Sequence, residues 1–383
     1  MRRCIPRKAI PRPPLGLFSN NSMLRFRARA LWTLAAVILG AAPLQRQLEA
    51  QDTVPIAHGL PPMEIHGFIQ VYYRSGDPLT KDGYRLRKAD LKFSGLVSPN
   101  IRWRVGFDAA KVLQLTKTSA PINDTLALLD VALDQRTRIL QDAALTWTPN
   151  RYVAVDIGQQ IVPLSLEGTI STSKVETIER TMFIVERSRA TGLGDVRDIG
   201  VSANGTLPQG LEYHVGMFNE TGESAGTIDA NDQKAFIGRF AYHPLFFPHL
   251  SIGGSAGFEG GARLSRRERG GTEVEFKNPL LTLRAETMAA RDGDLRRFGW
   301  YSLAAVRPTD ALQFVARYDS WDKDRTHETS VFDAYERQVS VGASYLIDGT
   351  SAKIAFNIVR QTFPNVNNVT DGTFALIAFQ GLW

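Results

Sequence analysis

The chain has 383 residues, of which 43% are hydrophobic and 22% charged, with 32 glycines and one cysteine. This composition excludes a disordered or collagen-like chain. The net charge of +6 comes from the first 50 residues, which hold nine Lys and Arg against one acidic residue. The remaining 36 basic and 38 acidic residues sum to −2, so a nucleic-acid partner is not expected.

Residues 1–50 have the pattern of an export signal. Three arginines at 25, 27 and 29 precede the apolar run 30–43, and Leu48-Glu49-Ala50 before Gln51 is a plausible cleavage site. We predict a signal peptide over 1–50, with Met23 as an alternative start, and a periplasmic lead over 51–62. A membrane anchor is the other interpretation, but the run is shorter than the roughly 20 residues of a spanning helix.

Apolar and polar residues alternate at period two from Ile65 to the C-terminus. Ile65, Ile69 and Val71, for example, alternate with His66 and Gln70. This periodicity is that of strands with one apolar face. We therefore predict an all-β protein.

The connections between these segments are of two kinds. Seven are short and rich in turn residues, at 98–100, 148–150, 207–210, 243–249, 277–279, 307–310 and 347–350. Eight are longer and polar, near 76–82, 114–135, 161–195, 221–232, 260–271, 291–295, 322–333 and 362–372. Seven turns and eight loops join sixteen strands.

An even number of strands, with short turns at one end and long loops at the other, is typical of a transmembrane antiparallel β-barrel. We predict such a barrel of about 16 strands over 63–383, in the bacterial outer membrane. The last strand ends on aromatic residues, Phe379 and Trp383, as an assembly signal for the barrel-assembly machinery would. Further aromatic residues near strand ends would form girdles at the lipid interfaces: Tyr73, Trp103, Trp147, Tyr152, Trp300, Tyr318 and Trp321. A soluble β-sandwich or propeller is the alternative.

A barrel of this size has a lumen too wide for side chains to fill, so water enters it. The longest connection, 161–195, is unusual for a compact domain. We predict that it folds into the pore as a constriction loop, and an ordinary extracellular loop is the alternative. Its basic residues are Lys174, Arg180, Arg187 and Arg189.

Several motifs in this part of the chain resemble the phosphate-selective porin O and P family. They are the run Gly158–Glu167, Thr172-Ser173, Val185–Ser188, Arg197–Val201, Gly216–Asn219 and, before them, Arg85–Ala89. The resemblance implies a sixteen-stranded porin, usually a homotrimer. It also implies that anions are selected by Lys and Arg along the inner wall and on an inward-folded third loop.

The alternation places eight basic residues on the inner wall: Lys88, Lys92, Arg102, Arg104, Arg239, Arg284, Arg317 and Lys353. It places nine acidic residues there too: Asp90, Asp108, Asp142, Glu212, Glu273, Glu275, Glu286, Asp319 and Glu336. Clustered cations would form a track for anions. Opposed rows of the two signs would instead orient polar solutes without strong selectivity.

The function we expect is passive diffusion of small hydrophilic solutes, chiefly anions such as phosphate. The alternatives are a general non-selective porin and a plugged structural or adhesive surface barrel. The G-x-S-x-G pattern of hydrolases occurs at 253–257, but it lies within an alternating segment and not at a strand-to-helix turn. We expect no catalysis, no cofactor and no metal.

Overall fold

The architecture is given by a computed structural model. It describes residues 62–77, 81–111, 115–121, 127–133, 139–185, 193, 196–219, 233–259, 267–325, 335–364 and 371–383. The predicted signal peptide and all but the last residue of the predicted lead lie outside the described residues.

The described chain forms eighteen strands. They are β1 (Met63–Ser75), β2 (Gly83–Ser98), β3 (Ile101–Asp108), β4 (Leu115–Pro121), β5 (Ala127–Leu133), β6 (Leu140–Asn150), β7 (Val153–Ile161), β8 (Arg197–Thr206), β9 (Leu211–Phe218), β10 (Ala235–Tyr242), β11 (Leu250–Glu259), β12 (Arg267–Lys277), β13 (Leu281–Asp292), β14 (Leu295–Thr309), β15 (Leu312–Asp322), β16 (Glu336–Asp348), β17 (Ala352–Thr362) and β18 (Gly372–Leu382). Short helices lie between β3 and β4 (Ala109–Lys111) and between β7 and β8, the latter being α1 (Leu166–Thr169), a 3-10 turn (Thr172–Lys174) and α2 (Met182–Val185).

Sixteen of these strands close into one antiparallel barrel, as the sequence predicts. Neighbouring barrel strands pair in chain order, and β1 pairs with β18 to close the cylinder over a register from Phe68–Leu382 to Ser75–Ala375. Closure leaves no unpaired edge, which is the condition for a sheet to cross a membrane.

The two faces of the barrel follow the alternation read from the sequence. Large apolar side chains such as Ile69, Phe240 and Val341 are exposed on the outside. Their strand neighbours face the lumen and include the polar and charged residues Gln70, Arg239 and Ser340. No helix among the described residues is long and apolar enough to cross a membrane.

The described parts of most predicted connections lie between barrel strands, with three differences, and 221–232 lies outside the described residues. The predicted loop 260–271 overlaps the start of β12, which begins at Arg267. The stretch 291–295, predicted as a longer loop, is a two-residue turn at 293–294, where Gly293 has a φ of 61°. Glycine adopts this left-handed conformation without strain, which permits a tight hairpin. The stretch 114–135 contains the hairpin β4–β5, which is separate from the barrel sheet.

Trp321 is the aromatic residue that the sequence places wrongly. It was expected in a girdle, but its side chain is fully buried inside the barrel. It faces the lumen opposite Gly299 and lies 6.3 Å, centroid to centroid, from the ring of Phe183 in α2. The Trp321 side chain therefore packs against Phe183 inside the lumen and does not lie at the lipid interface.

Candidate functional site

The connection between β7 and β8, residues 162–196, is called the lumen loop below; 162–185, 193 and 196 are described. Near its start lies Ser165, whose φ of 72° is in the left-handed region that non-glycine residues rarely adopt. The Ser165 hydroxyl accepts a hydrogen bond from Gly168 N (3.1 Å) and caps α1. Its own N–H donates to Ser255 Oγ on β11 (3.2 Å).

Glu286 of β13 binds the N-terminal end of α1. Its two carboxylate oxygens accept hydrogen bonds from the backbone N–H groups of Leu166 (2.9 Å) and Glu167 (3.2 Å). These are among the N–H groups that a helix start leaves without intrahelical partners. The sequence identifies Glu286 only as an inward acid, because no local pattern shows what lies across the lumen from it.

Arg284, two residues earlier on β13, binds the middle of the loop. Its guanidinium forms ion pairs with Glu176 (Nη1 to Oε2, 2.9 Å) and with Glu275 of β12. Burial alone would raise the pKa of the Glu176 carboxyl, but Arg284 and Lys277 together lower that pKa below its ordinary value. The Glu176 carboxylate is therefore kept charged by its neighbours on the wall.

Arg317 of β15 donates hydrogen bonds to three successive points of the same segment. Its guanidinium reaches Thr177 Oγ1 (2.6 Å), the Glu179 carbonyl (2.8 Å) and the Arg180 carbonyl (3.1 Å). It also pairs with Asp319 (2.6 Å), and Glu167 Oε1 lies 3.6 Å away.

Three further wall residues bind the loop backbone from β17 and β18. Lys353 Nζ donates to the Val175 carbonyl (2.8 Å), and Asn357 Oδ1 accepts from Ile178 N (2.7 Å). Gln380 Nε2 donates to the Ser173 carbonyl (3.0 Å). Lys277 of β12 and Arg87 of β2 also pair with Glu176 and Glu179, so polar side chains of seven strands hold the described part of the loop against the wall.

Apolar packing adds to these bonds at two places. Phe183 and Ile184 of α2 are fully buried in a cluster with lumen-facing residues that include Tyr301 and Trp321. Ile178, 1% exposed, packs in a second cluster with Tyr72 of β1 and residues of β17 and β18. Burial of this kind supplies most of the stabilisation that a packed segment can gain.

The eight predicted pore-lining cations all fall on the lumen face, but most have partners. Arg284, Arg317 and Lys353 bind the loop, as described. Four others form ion pairs on the wall: Lys88 with Asp108 (3.1 Å), Arg102 with Glu64 (2.9 Å), Arg104 with Asp156 (2.7 Å), and Arg239 with Glu212 (2.8 Å) and Glu273. Lys92 is exposed and forms no ion pair with a described carboxylate. The charges are interleaved and do not form two opposed rows.

The remaining predicted residues are distributed as follows. Lys174 is exposed in the 3-10 turn of the loop, and Arg180 is buried, donating to the Glu167 and Ile170 carbonyls. Arg187 and Arg189 lie outside the described residues.

Phe379 and Trp383 are exposed by 48% and 59% on the outer face. No group of three or more His, Cys, Asp or Glu side chains in the described chain could hold a metal ion.

A family model described as phosphate-selective porin O and P matches residues 63–263, more than half of the chain. The chain belongs to this family. It is therefore an outer-membrane channel protein of bacteria, as the sequence resemblance indicates. A comparison with curated proteins finds no match.

Solved porin structures share the fold at low sequence identity. OmpF of Salmonella typhi, in complex with daunomycin, has a TM-score of 0.58 at 9% identity, covering 84% of this chain and 98% of that one. The outer-membrane channel DcaP of Acinetobacter baumannii gives 0.54 at 12%, covering 84% and 97%. A trimer form of OmpT of Vibrio cholerae gives 0.53 at 11%, covering 84% and 99%.

Proposed function

We propose that the protein is a porin through which small hydrophilic solutes diffuse passively, with a modest preference for anions, and that the lumen loop narrows the channel. The proposal includes no catalytic step. Because OmpT was obtained in a trimer form, we also propose that this chain acts as a homotrimer.

The anion preference depends on the balance of unpaired charge at the water-filled surface. The partly exposed carboxylates of the described wall each have a cation within 3.7 Å: Glu64, Asp90, Asp142, Glu212 and Glu275. Lys92 and Arg85 on β2, and Lys174 on the loop, are exposed and have no described carboxylate partner. Low-dielectric walls focus the field of such unpaired cations into the lumen.

Reversal potentials in planar bilayers under a KCl gradient test the preference. The double variant Lys92→Gln/Arg85→Gln should shift the reversal potential toward cations relative to the wild type. Arg337→Gln/Arg360→Gln is the matched control, because it removes the same charge from side chains outside the lumen. An unchanged potential in the lumen variant, or an equal shift in the control, would contradict the proposal and leave a general porin.

A plugged structural barrel is the second candidate, and the two apolar clusters between loop and wall favour it. The two candidates differ in conductance. A purified wild-type protein that inserts into bilayers but shows no ion-conducting steps would support the plugged barrel.

A further inference from the structure

A cavity of about 350 Å³ lies between the lumen loop and the wall formed by β1, β2 and β15–β18. Its volume is at the lower end of the range of small-molecule pockets.

One side of this cavity is apolar. Tyr72, Met182, Val359, Phe374 and Leu376 line it, and each of these side chains is otherwise covered by protein, at 7% exposure or less. Apolar side chains in a water-filled lumen form no hydrogen bonds with the water around them. An apolar group that displaces this water therefore binds to them favourably.

The other side is cationic. Arg74 lies 4.1 Å from the centroid of the Phe374 ring and pairs with Asp77 (3.1 Å). Arg87 pairs with Glu179 (3.2 Å). Arg85 is opposite Tyr72 in the register of β1 and β2, is exposed, and forms no ion pair with a described carboxylate.

The two carboxylates that line the cavity are already bound. Glu179 pairs with Arg87, and Glu336 accepts hydrogen bonds from Gln338 (2.8 Å) and Gln361 (2.6 Å) and pairs with Lys323. Arg85 is therefore the charge that meets an incoming solute, and it attracts an anion.

We propose that this cavity binds organic carboxylates with an apolar body, such as an aromatic ring, with the carboxylate on Arg85 and the apolar body against Val359, Phe374 and Leu376. This inference rests on the proposed channel function and names a substrate class for it. A guanidinium suits the carboxylate because it can donate two parallel hydrogen bonds.

Inorganic phosphate fits this cavity less well. All of its oxygens require hydrogen-bond donors, and an apolar wall leaves the oxygens that face it without partners, which is costly. An aromatic carboxylate places its polar and apolar ends on matching sides.

Block of KCl current by added benzoate, compared with acetate and inorganic phosphate, tests this inference. Burial of about 60 Å² of ring surface at roughly 25 cal/mol per Å² would make benzoate block at about a tenfold lower concentration than acetate. Arg85→Gln should weaken block by both carboxylates. Val359→Thr, or Val359→Ala if the first variant does not fold, should weaken block by benzoate alone.

Arg337→Gln is the control and should leave all three blocking concentrations unchanged, because its side chain lies outside the lumen. Equal block by benzoate and acetate, or benzoate block that neither variant weakens, would overturn the inference. Such results in a conducting, anion-preferring channel would leave the proposed function intact. A channel that does not conduct, or that prefers cations, would instead contradict the proposed function.

Discussion

Trp383, the last residue of the chain, covers Gly67 of β1 where the barrel closes. The backbones of the two residues exchange hydrogen bonds, Gly67 N to Trp383 O (2.8 Å) and Trp383 N to Gly67 O (2.9 Å). A Cβ at position 67 would come within 2.1 Å of Trp383 Cζ2. Glycine therefore makes room for the indole at the joint between the first and last strands.

Replacing Trp383 with Asp should impair barrel assembly. The change removes the aromatic ring at this joint and places a charge on the lipid face, which is unfavourable in a membrane barrel. Fractionation and heat-modifiable migration in gels measure the amount of folded barrel in the outer membrane. Trp383→Phe is the control and should assemble. An Asp variant that assembles like the wild type would show that the terminal aromatic is dispensable.

Much of the barrel could be predicted from the sequence, because the alternation of residues within each strand assigns its side chains to one face of the sheet or the other. Period-two alternation shows which side chain points inward, and turn residues mark the strand ends, so the sixteen strands of the barrel were predicted. The stretch 291–295 was predicted as a loop because it is rich in charged residues, although Gly293 allows a tight two-residue turn there.

The partners of the inward residues could not be predicted in the same way. Glu286 binds backbone groups about 120 residues earlier in the chain, and Trp321 packs on Phe183 across the lumen. Alternation gives a direction for each side chain but not the element it meets. The sequence therefore predicted a wall that carries both signs of charge, but not which residues pair with each other and which bind the loop.

Arg317→Leu should destabilise the folded barrel. Asp319 and Glu167 are both fully buried beside this guanidinium, and removing one partner of a buried pair costs about 3–5 kcal/mol. The temperature at which heat-modifiable migration is lost should fall. The double variant Arg317→Leu/Asp319→Leu should recover part of the loss, because it leaves one fewer unpaired charge. A single variant as stable as the wild type would show that the pair contributes little.

Deleting Lys174–Arg189 should raise single-channel conductance. The described part of this segment is held on the inner wall by Arg284, Lys353 and Asn357, so its removal widens the water column. Deleting 222–231, in another predicted long loop, is the control and should leave conductance unchanged. Equal conductance of the first deletion and the wild type would show that the segment does not narrow the channel.

Acidification should loosen the loop only at low pH. The folded-state pKa of Glu176 lies below its ordinary value, so the stabilisation from its pair with Arg284 is complete above the ordinary Glu pKa of about 4.3 and is lost as pH falls through the lowered value. Glu176→Gln should be noisier than the wild type, and this difference in open-channel current noise should persist from pH 7 to about pH 4.3 and vanish below it. A difference that is already lost well above pH 4.3 would contradict this assignment.

Neutralising Lys88, Lys92, Arg102 and Arg104 together to Gln should shift the reversal potential in a salt gradient toward cations. Removing these four charges leaves Asp108, Glu64 and Asp156 without their partners, so the wall becomes net negative. The shift should shrink with ionic strength, because the Debye length falls from about 10 Å at 0.1 M to about 3 Å at 1 M.

The paired and unpaired cations can be separated by a second comparison. Arg102→Gln/Glu64→Gln removes both members of an ion pair and keeps the net charge, so it should leave the reversal potential near the wild-type value. Lys92→Gln removes an unpaired charge from the neighbouring strand β2 and should account for a shift by itself. If the neutral pair replacement shifts the potential as much as Lys92→Gln does, then selectivity follows the position of each cation and not the charge left unpaired in the lumen.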